Sequence, residues 1–142
     1  MTSSAVPDDS PILRIPSPGP DFVNGQAMLP GSLGRSGKET DSISVWDEGR
    51  TKVSEALAFR PTRPLVVFRL SATRRKNLQQ RFQSIQVLYE PVDVTQQHKP
   101  GADGHAGLYG VIKPTKNAQT KQHYVLVRDE MAREFEFVEL AE

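Results

Sequence analysis

The sequence predicts an α+β domain: a small mixed or antiparallel sheet with two or three helices packed on it. Three observations carry this expectation. Leu65-Val66-Val67-Phe68-Arg69-Leu70 is almost continuously apolar and rich in β-branched residues, as a buried strand requires. Residues 72–83 follow with Leu78 and Phe82 on one helical face, and Ile85-Gln86-Val87-Leu88-Tyr89 then reads as a strand ended by Pro91. The first 41 residues, by contrast, hold six of the eleven prolines and five of the ten glycines, with Pro16, Pro18 and Pro20 alternating with Ser and Gly.

This contrast divides the chain into an irregular Pro/Gly/Ser-rich segment, residues 1–41, and a single compact domain, residues 42–142. Two apolar groups interrupt the first segment: Ile12, Leu13 and Ile15, then Phe22 and Val23. They are expected as irregular edge segments lying on the domain. Gly31 to Gly37 has the composition of a flexible loop but lacks the Gly-Lys-Ser/Thr ending and the flanking strand and helix of a phosphate-cradling loop.

Within the domain, Ile43, Val45 and Trp46 begin a strand, and Thr51 is placed to cap a helix carrying Val53, Ala56 and Leu57 on one face. Pro61 and Pro64 close that unit. After the central strand–helix–strand, Pro100-Gly101 and Asp103-Gly104 mark turns, and Leu108 to Ile112 forms a further strand stopped by Pro114. Tyr124, Val127, Met131, Phe135 and Val138 recur at intervals of three and four. That spacing favours a helix through about Glu134 and a short final strand over a hairpin turning at Glu130 to Arg133.

Composition excludes several chemistries. The 142 residues include no cysteine, which removes disulfides, thiolate catalysis and thiolate metal sites. Met1 to Ser10 lacks the apolar run of a signal peptide, and no stretch approaches the ~20 apolar residues that span a bilayer. A cytoplasmic protein without membrane contact is the expectation. His98, His105 and His123 do not share helical ligand spacing, so neither a metal nor a cofactor is called for. His105, at a loop-to-strand junction, reads first as a turn residue bonded to nearby backbone, and alternatively as a general base or an anion contact.

Charge is segregated although the net value is only +1. Arg60, Arg63, Arg69, Arg74, Arg75, Lys76 and Arg81 fall in one stretch without an acid, whereas Asp129, Glu130, Glu134, Glu136, Glu139 and Glu142 face only Arg133. Arg74, Arg75 and Lys76 sit in the first turn of a helix, where the dipole disfavours cations by ~0.3–1 kcal/mol each. Ser71 and Thr73 add hydroxyls at the same end. An anion there reverses the penalty: either the acidic C-terminal stretch of the same chain, or an external phosphate or partner carboxylate. Ser71, Thr73, Arg74, Arg75, Arg81 and His105 are therefore the candidate anion- or partner-binding residues. On a helical wheel Arg74 and Arg81 share one flank of the Leu78–Phe82 stripe, Arg75 takes the other and Lys76 points away, which is not one basic face for nucleic acid. Ser44, Asp47 and Glu48 do not lie on a nucleophile-elbow motif.

Taken in order, Asp41-Ser42-Ile43-Ser44-Val45, the helix at Val53 to Leu57, the Val66 to Ser71 strand with its helix, and His105-Ala106 entering a strand resemble a group of small, uncharacterised bacterial proteins. The Tyr109 to Gln122 segment is longer than that pattern. The resemblance implies a bacterial or phage origin and a compact α+β fold, and it carries no activity. The functional expectation is a non-enzymatic interaction protein, such as an accessory, antitoxin-like or immunity-like partner of another protein. The alternatives are a small nucleotide-handling or ADP-ribosyltransferase-like enzyme using Arg14 or the Ser71 to Arg75 helix start with His105, and nucleic-acid binding through Arg60 to Arg81.

Overall fold

The computed structural model describes residues 4–16, 23–24, 26–29, 33, 42–59, 66–110 and 118–138. In chain order its elements are β1 (Ile12–Arg14), β2 (Val23–Asn24), β3 (Ala27–Met28), β4 (Ser42–Asp47), α1 (Val53–Leu57), β5 (Val67–Leu70), α2 (Ala72–Arg81), β6 (Gln86–Tyr89), β7 (His105–Tyr109), α3 (Ala118–Glu134) and β8 (Glu136–Val138). Six strands form one sheet in the order β6-β7-β4-β1-β5-β8, every neighbouring pair antiparallel, while β2 and β3 make a separate small hairpin. This is the expected α+β fold with three helices.

The two-residue alternation of side chains gives the sheet two distinct faces. On one, Ile12, Ile43, Val45, Phe68, Leu70, Val87 and Leu108 pack with Leu78 of α2 and with Val127 and Met131 of α3. On the other, Leu13, Trp46 and Val67 pack with Ile15 and with Ala56 of α1. The helix α2 starts where Ser71 accepts a hydrogen bond from the Arg74 amide at 3.2 Å, the expected N-cap.

Three local expectations change. Ile12 and Leu13 are not an edge segment: β1 lies between β4 and β5 in the sheet interior, and both residues are fully buried. The reason is that Ile12 faces one core and Leu13 the other, so the strand is apolar on both sides. Thr51 does not cap α1; its hydroxyl donates to the Gly101 carbonyl at 2.7 Å, and the Lys52 amide instead donates to the Glu55 carboxylate at 2.9 Å. The strand expected from Leu108 to Ile112 begins earlier, at His105, because β7 takes its register from β4, with Trp46 opposite His105 and Ser42 opposite Tyr109. Val111 and Ile112 lie outside the described residues, as do Pro61, Pro64 and most of the Gly31 to Gly37 loop.

Residues 4–6 continue the sheet past β6. The Val6 amide donates to the Val87 carbonyl at 2.9 Å, the Tyr89 amide to the Ser4 carbonyl at 2.8 Å, and Val6 is buried. The outer edge of β6 is thereby covered by the chain's own N-terminal segment.

Candidate functional site

The start of α2 is bound into the protein. Arg74 places Nε 3.3 Å from the Glu136 carboxylate and 4.0 Å from that of Glu134, and its Nη1 donates to the Glu134 carbonyl. Arg81 reaches Glu130 at 3.1 Å and Glu134 at 3.6 Å. The acidic C-terminal stretch thus supplies carboxylates to both arginines on that flank. These side chains are 42% and 44% exposed, so each pair contributes at most ~1 kcal/mol. Ser71 is occupied as the cap, and Thr73 is exposed.

Arg75 does something different. It is 1% exposed, and its guanidinium donates to the carbonyls of Val6, Pro7 and Ser10, tying the N-terminal segment to α2. Burial pushes its pKa below the usual arginine value, against the opposing pull of Asp8 and Asp47. Nearby, the buried Asp47 accepts from the Gly49 amide at 2.8 Å and from the Tyr89 hydroxyl, while the Arg50 guanidinium lies 4.0 Å over the Tyr89 ring. Desolvation first, then the hydrogen bond and charge of Asp47, push the Tyr89 phenol up to about 12.

His105 lies on the opposite face of the sheet from α2, so it does not join Ser71, Thr73, Arg74 or Arg81 in one site. It joins a polar group, formed by residues of β4 and β7 and by Glu90 just after β6, that local sequence pattern does not assemble. His105 Nε2 is 2.7 Å from the Ser44 hydroxyl, and Nδ1 is 2.9 Å from the Glu90 carbonyl. The Glu90 carboxylate accepts from the Ser42 hydroxyl at 2.9 Å and from the Tyr109 hydroxyl. It can do so because Gly107 stands opposite Ser44: a Cβ at 107 would lie 2.1 Å from Glu90 Oε1. Trp46 contacts the His105 ring edge-on at 4.8 Å and Phe59 at 4.5 Å, forming an aromatic wall. Arg14 donates from Nη1 to the Ser44 carbonyl at 2.8 Å. The alternation that puts Ser42, Ser44 and Trp46 on one face was visible in the sequence. The pairing of β4 with β7, which brings His105 to Ser44, was not.

A third feature lies on α3. Its inward stripe is Val127 and Met131, as the spacing predicted, but Val125 and Leu126 fall more than ~100° away from it around the helix. They are 43% and 51% exposed and line a groove of about 410 Å³ with Gln122, Asp129, Glu130 and Arg133. Apolar residues off the helical stripe were the available signal.

Among the described residues, no cluster of three or more His, Asp or Glu side chains is arranged to hold a metal ion, and no helix is long and apolar enough to cross a membrane. Comparison with protein-family models, with curated proteins and with solved structures gives no match.

Proposed function

We propose that the chain is a protein-binding component whose contact surface is the outer face of α3. The supporting observation is the pair of adjacent, half-exposed apolar side chains, Val125 and Leu126, beside a groove in the middle of a 17-residue helix. Fully burying a Val or Leu side chain stabilises by ~1.5–3 kcal/mol, so a partner covering these two gains a useful fraction of that for each. The groove is rimmed by Gln122, Asp129, Glu130 and Arg133, so the fitting occupant presents an apolar side chain flanked by polar groups. An accessory, antitoxin-like or immunity-like role is the biological form this chemistry suits.

Binding of an external anion at the α2 start has less support, because Arg74 and Arg81 already meet Glu130, Glu134 and Glu136. Nucleic-acid binding has less support for the same reason, with Arg69 held bidentately by Glu48 and Arg75 buried.

A photo-crosslinking residue placed at Leu126 in the host cell tests the proposal, with the same residue at Val94, itself 79% exposed, as control. The expected result is one discrete protein adduct from position 126, its crosslinked peptide carrying an apolar side chain, and none from position 94. Adducts of equal yield and variety at both positions, or none at 126, would overturn it.

A further inference from the structure

The geometry points to Ser44 as a histidine-activated nucleophile that accepts acyl groups from small neutral or cationic carboxylic esters. This goes beyond the α3 surface and is independent of it, since Ser44 lies on the sheet face opposite α3.

The ring of His105 is bonded on both of its nitrogens. A backbone carbonyl only accepts hydrogen bonds, so the nitrogen facing the Glu90 carbonyl at 2.9 Å, Nδ1, carries the proton of the neutral ring. Nε2 then presents its lone pair to the Ser44 hydroxyl at 2.7 Å, which donates to it. The base is oriented on its far side and touches the nucleophile on its near side, the arrangement that nucleophilic serine catalysis requires. Edge contact with Trp46 holds the ring in that plane. Ser44 and His105 are both partly buried. Arg14, bonded to the Ser44 carbonyl, places a positive charge against the backbone of the nucleophilic residue.

The same neighbourhood selects the substrate. The Glu90 carboxylate lies over Gly107, directly across the ladder from Ser44, and is fixed there by the Ser42 and Tyr109 hydroxyls. A carboxylate so close repels phosphate and other anions and tolerates neutral or cationic groups.

In the reaction, Ser44 Oγ bonds to the ester carbonyl carbon as its proton passes to His105 Nε2. The carbon–alkoxy bond breaks, and the alkoxide leaves as an alcohol with the proton returned by Nε2. Water then adds to the acyl-serine, giving its proton to Nε2. The acyl–Oγ bond breaks, Oγ recovers that proton, and a carboxylic acid departs. The sum is ester plus water to acid plus alcohol.

The test treats the full chain with a fluorophosphonate serine probe and, separately, with nitrophenyl acetate. Labelling is expected at Ser44, located by peptide mass spectrometry, and absent in Ser44→Ala. In His105→Gln the labelling and hydrolysis rates should fall by roughly 100-fold or more, the usual worth of a positioned general base. Arg74→Ala, remote from the pair, should leave both rates unchanged. A choline-type cationic ester should be cleaved at least about tenfold faster than an anionic ester of equal length, a preference lost in Glu90→Gln. No label on the folded wild-type chain, a label located elsewhere than Ser44, or an undiminished rate in a folded His105→Gln would overturn the assignment. Because the labelled peptide is read from the wild-type protein, poor folding of a variant does not blunt the result.

Discussion

Arg75 joins three backbone carbonyls of the N-terminal segment to α2; removing the guanidinium takes this donor from Val6 and Ser10, while the Pro7 carbonyl keeps the Ser10 amide. A buried acceptor left without a partner costs ~1–3 kcal/mol, so Arg75→Ala should destabilise the fold by about 3–5 kcal/mol. Arg75→Lys, whose single ammonium cannot match a planar fork, should fall between the two. Urea unfolding midpoints check this, and an Arg75→Ala loss below ~1 kcal/mol would refute it. Tyr89 gives a pH signature. A phenol with a higher pKa folded than unfolded stabilises fully below its unfolded value of about 10 and loses that contribution as pH rises through about 12. Stability should therefore decline across that window in the wild-type chain and decline less in Tyr89→Phe. Phenolate absorbance should likewise lose one late-titrating group in the variant. The helical wheel already separated Arg75 from Arg74 and Arg81. What it could not show was the destination, because backbone carbonyls leave no mark in a sequence.

At the scale of elements, the strand–helix–strand from β5 to β6 was legible because propensity, periodicity and caps agreed, whereas the helix ending at Glu134 was legible from periodicity alone, against β-favouring residues that also suited a hairpin. The strand β1 was visible only as a group of apolar residues between Pro11 and Pro16. Its place depended on long-range pairing with both β4 and β5, which local pattern does not encode. Its interior position makes a sharp prediction: Leu13→Ala, at a fully buried site against Trp46 and Val67, should cost ~2–5 kcal/mol in chemical unfolding. An edge segment at the same position would lose far less. The Ser44–His105 contact was hidden for the same reason, since residues 61 apart meet only once β4 and β7 pair.

For the whole molecule, the sheet separates two surfaces that sequence reading had merged. The predicted residues at the α2 start lie on the side of α2 and α3, where Arg74 and Arg81 join α2 to Glu130 and Glu134 of α3 and to Glu136 beyond it. His105 lies on the other side with Ser44. Among the described residues, the outer face of α3 presents apolar surface to solvent at Val125 and Leu126. Leu126→Asp should accordingly leave stability within ~0.5 kcal/mol of wild type, as surface substitutions do. Calorimetric titration of the partner captured at Leu126 against wild type, Leu126→Asp and Arg74→Ala is the most direct test of where binding resides. A Kd at least about tenfold weaker, equal to ~1.4 kcal/mol, is expected for Leu126→Asp, and an unchanged Kd for Arg74→Ala. An unchanged Kd for Leu126→Asp, or an equal loss in both variants, would contradict it.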